Sequence, residues 1–290
     1  MPTDTSGLTF SADVRRNRLP VAVGSQLLVG VGSTAMSLAA QHVKRSTLHG
    51  LERRWAATAK RAVNLSINVS GLDAIAPDTQ YLVLPLHEGF ADVIALLDLP
   101  LNMQFVVRDE LFSWPRLGRY LKASHQIPIA DDPTISQLRR LYRDIELALA
   151  SGDSLVLFPQ GSVLGIEAAF GEGALRIARR FNTEILPIVL TGAHRVCDLP
   201  FSTTVHFGQT IEMHVLPPIV PGTLDASGYR AIERRMKHIA MNESTVPVRR
   251  FVPERDGWWD DYNYQIDEDF PDLHQQVLDR RLRVARRESM

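Results

Sequence analysis

The chain of 290 residues has a single cysteine, Cys197. One thiol can form neither an internal disulfide nor a zinc site built on cysteines, and this scarcity is typical of a reducing compartment. No group of histidines and carboxylates has the spacing of metal ligands, so the sequence predicts no metal site and no bound cofactor. We also find no internal repeat and no Gly-x-Ser-x-Gly nucleophile motif.

The chain also lacks an excess of charge of one sign. It has 32 Lys and Arg residues against 33 Asp and Glu residues, for a net charge of −1. Nothing in this balance favours a nucleic-acid partner. The charges are nevertheless uneven, because the first seventy residues are basic.

Residues 19–43 lie between basic groups and carry no formal charge apart from His42, if it is protonated. A spanning helix needs ~20 apolar residues, but this stretch also contains serines, glutamines and glycines. Because basic residues flank both ends, we expect a helix or helix pair in the headgroup layer of an anionic membrane. A twin-arginine export signal at Arg15-Arg16 and a helix buried on the domain are the alternatives. The predicted location is peripheral or monotopic, on the cytoplasmic face of the cell membrane.

The middle of the chain alternates short apolar runs with helical stretches, which predicts an α/β fold with a central, mostly parallel or mixed sheet flanked by helices. The predicted strands are 81–84, 103–107, 126–129, 154–158 and 185–190, and 204–207 and 212–216 would add edge strands. The predicted helices are 53–63, 91–97, 115–123, 134–150, 172–181 and 225–241. We predict a membrane-associating helical segment at 1–66, the α/β domain at 67–243 and a C-terminal extension at 244–290.

One strand-to-helix turn carries a histidine and a carboxylate. His87 follows the apolar run 81–85, and Asp92 lies five positions on, in the first turns of the next helix. Five residues is not a same-face helical spacing, so the two groups meet only if His87 lies on the turn and Asp92 reaches back. A carboxylate that fixes the tautomer of an imidazole is suited to general-base chemistry. Taken alone, a pair at this spacing is more often accidental.

A second turn follows the run 154–158 and reads Phe158-Pro159-Gln160-Gly161-Ser162. Glycine allows a tight turn and close approach of a substrate to the backbone, and amides near Gly161 are candidates to hold an oxyanion. Taken alone, this too is a routine junction.

Together, in this order, the motifs resemble the glycerolipid acyltransferase superfamily, in particular bacterial 1-acylglycerol-3-phosphate (lysophospholipid) acyltransferases. The resemblance covers about residues 71–218. It rests on His87-x4-Asp92, on Arg108 with the run 127–131, on Phe158-Pro159-Gln160-Gly161-Ser162, and on Leu186-Pro187-Ile188-Val189.

This resemblance implies an O-acyltransferase that needs no metal. Its partners would be a lysolipid acceptor, acyl-CoA or acyl-carrier protein as co-substrate, and a membrane surface. His87 would be the general base and Asp92 would orient it. Arg108, Phe158, Pro159, Gln160, Gly161 and Ser162 would bind substrate.

The sequence departs from the family pattern where basic or acidic residues are usual. Asp131, Val163 and Glu172 replace basic residues, and Gln160 replaces a glutamate. Since a phosphate is normally held by Arg or Lys, we expect an acceptor that is not a simple phosphomonoester. A natural-product acceptor and a non-catalytic, membrane-associated homologue remain alternatives. The aromatic and basic residues after position 254 predict a tail packed on the domain, a membrane anchor or a carrier-protein contact.

Overall fold

The computed structural model describes residues 9–10, 38, 42–114, 117–198, 204–259 and 262–288. Most of the predicted membrane segment at residues 19–43 therefore lies outside the described residues, as does the arginine pair at 15–16. In the part of the chain that the structure describes, no helix is both long enough and apolar enough to cross a membrane.

A seven-stranded mixed sheet forms the centre of the molecule, in the order β2-β9-β7-β3-β6-β4-β5. Its strands are β2 (Ser66–Ser70), β3 (Tyr81–Pro85), β4 (Met103–Arg108), β5 (Ile127–Ile129), β6 (Ser154–Val156), β7 (Glu184–Thr191) and β9 (Thr210–Val215). The short strands β1 (Thr9–Phe10) and β8 (Thr204–Val205) pair with each other outside this sheet.

The directions of the strands determine which loops lie at the same edge of the sheet. Strands β7, β3, β6, β4 and β5 are parallel to one another, whereas β9 is antiparallel to β7 and carries β2 with it. The carboxyl ends of five strands therefore lie along one edge of the sheet. Open α/β sheets bind their ligands at this edge.

Helices cover both faces of the sheet. They are α1 (Arg45–Ala62), α2 (Ala91–Leu96), α3 (Leu117–Ala123), α4 (Ile135–Ala150), α5 (Gly173–Phe181), α6 (Ala193–Val196), α7 (Ala226–Asn242), α8 (Pro253–Asp256) and α9 (Pro271–Glu288). Alternate residues of β3 enter opposite cores: Tyr81 and Val83 pack on one face, Leu82 and Leu84 on the other. This is why β3 reads as an unbroken apolar run, as expected for a strand buried on both faces.

The predicted α/β class is confirmed, with a mixed sheet flanked by helices. The prediction that residues 212–216 form an edge strand is wrong, because β9 lies between β2 and β7. The true edge strand, β2, was not predicted: its residues alternate between exposed and half-buried, so it lacks the apolar run of an inner strand.

Both ends of the described chain pack on this domain. Helix α1 buries Leu48, Ala56 and Ala59, and Ala56 joins the core on one face of the sheet. Residues beyond 250 form a third apolar cluster with the loop after β6, in which Trp259 and Tyr264 pack with Leu164. The C-terminal extension is therefore a packed cover on the domain, one of the three structures expected for it. The predicted boundaries at 66/67 and 243/244 remain predictions.

Candidate active site

His87 lies on the turn between β3 and α2, at the carboxyl edge of the parallel strands. Its Nδ1 is 2.8 Å from Asp92 Oδ2. The Asp92 carboxylate is fully buried, and the same oxygen accepts the backbone N–H groups of Glu88 (2.8 Å) and Gly89 (3.0 Å). One carboxylate oxygen thus fixes both the turn and the ring. Because Nδ1 is held, Nε2 is the ring nitrogen left to exchange a proton with a substrate.

Two residues after β6 hold His87 from the other side. The Phe158 ring stacks on the imidazole, with centroids 3.8 Å apart and planes inclined by 20°. Gln160 is buried; its Oε1 accepts the His87 N–H at 2.8 Å and its Nε2 donates to the Gly165 carbonyl at 2.7 Å. The His87 side chain keeps one fifth of its surface exposed. The imidazole is therefore held at Nδ1 by Asp92 and on one ring face by Phe158, while Gln160 holds the backbone of the same residue and part of the ring stays exposed.

Gly161 closes the turn after β6. Its φ of +68° is left-handed, a conformation that glycine adopts without steric cost. Its N–H donates to the Phe158 carbonyl at 3.1 Å, and its own carbonyl accepts Arg108 Nε at 3.2 Å. The Gly161 amide is therefore not available to an oxyanion, which removes the central donor of the expected oxyanion site.

Pro159 and Ser162 lie buried beside this turn, and Ser162 Oγ lies 3.5 Å from the Gln160 carbonyl. The turn residues thus lie within one hydrogen-bonded loop next to His87. Direct contacts of Pro159, Gln160, Gly161 and Ser162 with a substrate stay predictions.

Glu88, between the two residues of the pair, ties the site to the rest of the fold. It is buried, and Oε2 accepts the Gly192 N–H at 2.6 Å and lies 2.8 Å from His194 Nδ1. Its Oε1 accepts the Arg249 N–H at 2.8 Å. Glu88 therefore points away from His87, as expected, and acts as a structural carboxylate. His194 therefore shares the Glu88 carboxylate with the backbone N–H groups of Gly192 and Arg249.

Arg108 lies at the end of β4 and brings a positive charge to the site. Its guanidinium already has partners within the protein. Its Nη2 is 2.8 Å from Asp131 Oδ1, which follows β5. Its guanidinium lies over the Tyr262 ring, 4.3 Å from the ring centroid, and within 5.8 Å of the Trp259 ring centroid. The C-terminal extension thus reaches the carboxyl edge of the sheet.

Sequence reasoning brought His87, Asp92, Arg108 and the turn 158–162 to this edge, and the structure places them there together. It missed the contribution of Glu88, whose partners are more than a hundred residues away in sequence, and that of Tyr262. The one available signal was the aromatic run after position 257. An aromatic run does not identify the cation on which it stacks.

Comparison with known proteins agrees with this geometry. Residues 66–191 match the family model described as Acyltransferase. The chain is 28% identical over 156 residues to the chloroplastic 1-acyl-sn-glycerol-3-phosphate acyltransferase LPAT1 of Arabidopsis thaliana, covering 53% of this chain and 43% of that one. It is 26% identical over 152 residues to the lyso-ornithine lipid O-acyltransferase of Rhodobacter capsulatus, covering 51% of this chain and 54% of that one.

A solved structure has the same fold. The 1-acyl-sn-glycerophosphate (LPA) acyltransferase PlsC of Thermotoga maritima superposes with a TM-score of 0.62 at 15% identity, covering 79% of this chain and 97% of that chain. The chain spans about half the length of the two relatives named above. The resemblance seen in the motifs is confirmed: residues 66–191 match the Acyltransferase family model, and the chain is similar to 1-acyl-sn-glycerol-3-phosphate acyltransferases in sequence and to PlsC in fold.

Proposed function

We propose that the protein is an O-acyltransferase of phospholipid biosynthesis. It moves a fatty acyl group from the thioester of acyl-CoA or acyl-carrier protein to a hydroxyl of a lysolipid, a class that includes lysophospholipids and 1-acylglycerol-3-phosphate-like acceptors. The observation that carries this proposal is the His87–Asp92 pair, 2.8 Å apart at the carboxyl edge of the sheet, within the stretch that matches the family.

The geometry suits direct transfer. His87 Nε2 takes the proton of the acceptor hydroxyl as the oxygen attacks the thioester carbonyl. The buried carboxylate of Asp92 stabilises the imidazolium that forms and keeps the ring in place. When the tetrahedral intermediate collapses, the carbon–sulfur bond breaks and the leaving thiolate takes the proton from Nε2. An ester and a free thiol result, and His87 returns to its starting state.

The exposed part of the imidazole supports this role, because a general base must reach the hydroxyl it deprotonates. The remaining rate enhancement comes from holding two substrates together at the sheet edge. We place the reaction at the cytoplasmic face of the cell membrane, where a lysolipid presents its hydroxyl in the headgroup layer.

The test replaces the pair one residue at a time. His87→Ala removes the base and should lower kcat about 10²- to 10⁴-fold, the range typical of general-base catalysis. Asp92→Asn keeps the size of the side chain but loses the charge that stabilises the imidazolium, and it should also lower kcat strongly. Turnover is measured with labelled acyl-CoA and acyl-carrier protein against a panel of lysolipids.

The matched control is His125→Asn. His125 is an exposed histidine on a surface turn with φ of +56°, a conformation that asparagine tolerates. This variant should keep wild-type turnover. Near-normal turnover in His87→Ala, with the fold intact by circular dichroism, would refute the mechanism.

A further inference from the structure

Arg108 is held by internal partners on several sides. Asp131 pairs with Nη2 at 2.8 Å, the Gly161 carbonyl accepts Nε at 3.2 Å, and the Tyr262 ring lies under the guanidinium plane. Only 18% of the Arg108 side chain is exposed. An incoming anion would have to displace these contacts before this arginine could bind it.

These partners are themselves fixed by the C-terminal extension. We call residues 257–259 and 262–264 the aromatic segment. Its Asn263 N–H donates to Asp131 Oδ2 at 2.7 Å, and its Tyr262 hydroxyl donates to Glu110 Oε2 at 3.2 Å. Trp259 and Tyr264 anchor it in the apolar cluster beneath. The segment therefore holds Asp131 and Arg108 together.

Several acidic residues lie close to Arg108 in the sequence or on the neighbouring strand. Asp109 and Glu110 follow it directly, and Asp131 and Asp132 follow the neighbouring strand β5. A phosphomonoester near Arg108 would lie beside the Asp131 carboxylate, and like charges this close repel strongly. A repulsive group of this kind is a common means of excluding one ligand in favour of another.

We propose that Asp131 and the aromatic segment set the acceptor specificity of the enzyme by keeping Arg108 in internal contacts. The site then disfavours lysolipids that carry a phosphomonoester and favours lysolipids whose head group lacks that dianion. This inference rests on the proposed function and narrows its acceptor class.

The experiment compares two acceptors, lysophosphatidic acid and lyso-ornithine lipid, with one acyl-CoA donor and the full-length protein. The wild type should have the higher kcat/KM with lyso-ornithine lipid. Asp131→Asn removes the charge while an amide oxygen can still accept the Asn263 N–H. It should raise kcat/KM for lysophosphatidic acid relative to lyso-ornithine lipid by about tenfold, the scale of one charge-assisted hydrogen bond. Tyr262→Leu removes the ring under Arg108 and should shift the ratio in the same direction.

Two controls match these changes. Asp132→Asn makes the same charge change one residue away, at an exposed side chain that forms no ion pair with Arg108 in the structure. Tyr262→Phe keeps the stacking ring and loses only the hydroxyl. Asp132→Asn should leave the acceptor ratio within about twofold of wild type, because water screens the charge of an exposed side chain. Tyr262→Phe should shift the ratio less than Tyr262→Leu does, because the ring under Arg108 stays.

The outcomes separate this inference from the function on which it rests. A wild type that prefers lysophosphatidic acid, or an Asp131→Asn variant whose ratio matches that of Asp132→Asn, overturns the specificity inference and leaves the acyltransferase proposal standing. A wild type that acylates no lysolipid, whether the donor is acyl-CoA or acyl-carrier protein, overturns the specificity inference and the acyltransferase proposal together. Thermal unfolding of each variant shows whether a lost activity reflects a lost fold.

Discussion

At the scale of single residues, the site depends on how tightly one imidazole is held. Asp92 fixes Nδ1, Phe158 stacks on the ring, and Gln160 accepts the backbone N–H of His87. Gln160 does more than a glutamate could at this position, because its amide also donates to the Gly165 carbonyl. An ionised carboxylate has no proton to donate there.

We therefore expect Gln160→Leu to impair both stability and catalysis. The change removes the partner of the His87 N–H and one of two donors to the Gly165 carbonyl, which keeps the Ala168 N–H at 3.2 Å. The expected cost is about 1–3 kcal/mol in the free energy of unfolding. Since the backbone under the general base would shift, kcat should fall while KM for the acyl donor changes little. Urea unfolding and steady-state kinetics measure the two effects. Gln275→Leu, on the exposed face of α9, is the control and should change neither.

At the scale of secondary-structure elements, a buried polar cluster holds α1 on the sheet. His49 Nε2 is 2.9 Å from Asp153 Oδ1, and His49 Nδ1 is 3.2 Å from Glu52 Oε2. Arg45 also pairs with Asp153, and Tyr120 donates to Glu52. The two cations balance the two carboxylates, which is how proteins accommodate charges away from water.

Burial by itself lowers the pKa of His49, but hydrogen bonds and charge from Asp153 and Glu52 outweigh it and raise the pKa above the ordinary 6.5. Burial raises the pKa of Asp153, but hydrogen bonds from His49, Gln104 and Arg45 outweigh it and lower the pKa to about 2. The folded state therefore favours the charged form of both groups.

The sign of the pH dependence follows from these two shifts. The contribution of His49 is complete below its unfolded pKa of about 6.5, and it is lost as the pH rises through its raised folded pKa. The contribution of Asp153 is present above its unfolded pKa, 3.8, and is lost as the pH falls towards 2. We therefore expect the free energy of unfolding to fall on both the acid limb and the alkaline limb of its pH profile. His49→Gln should flatten the alkaline limb above about pH 6.5, measured by urea unfolding at a series of pH values. A variant that keeps the wild-type slope there would contradict this assignment.

At the scale of the whole molecule, the C-terminal extension and the N-terminal helix α1 pack on different parts of the α/β domain. The C-terminal extension closes over the carboxyl edge of the sheet, through Trp259 and Tyr262 near Arg108. The N-terminal side of the domain begins with α1, whose N-cap residue Lys44 and helical residues Arg54 and Arg61 are exposed. A basic surface next to an uncharged segment favours an anionic membrane.

This arrangement gives a prediction for the full-length protein. Removing residues 1–43 takes away β1 and its pairing with β8 but leaves the seven-stranded sheet, α1 and the contact of α1 with Asp153 in place. It should weaken binding to anionic vesicles while the α/β domain stays folded. Co-sedimentation with vesicles that contain phosphatidylglycerol, at low and high salt, measures the loss. Equal binding by the shortened and the full-length chain would refute membrane association through residues 19–43. A full-length chain that binds only at low salt would show that charge alone carries the attraction.

Much of this molecule follows from local sequence. Inner strands such as β3 and β7 read as apolar runs because both of their faces are buried, and α4 begins at Thr134 with a capping box that the sequence shows. The meeting of His87 with Asp92 was also predictable, because a turn of five residues limits where the carboxylate can reach. Strand β2 was not predictable, because an edge strand with one half-exposed face carries no such run.

The sequence by itself determined the α/β class, the strand-to-helix turn that carries His87, and Asp92 as the carboxylate that meets it, because these follow from local patterns and from contacts within a few residues. Only the tertiary structure decided that β9 lies inside the sheet, that Glu88 binds Gly192 and Arg249, and that Tyr262 covers Arg108. Except for the pairing of β9 with β7, these contacts join residues more than a hundred positions apart. Their free energy comes from burial that exists only once the sheet has formed, so no local pattern records them.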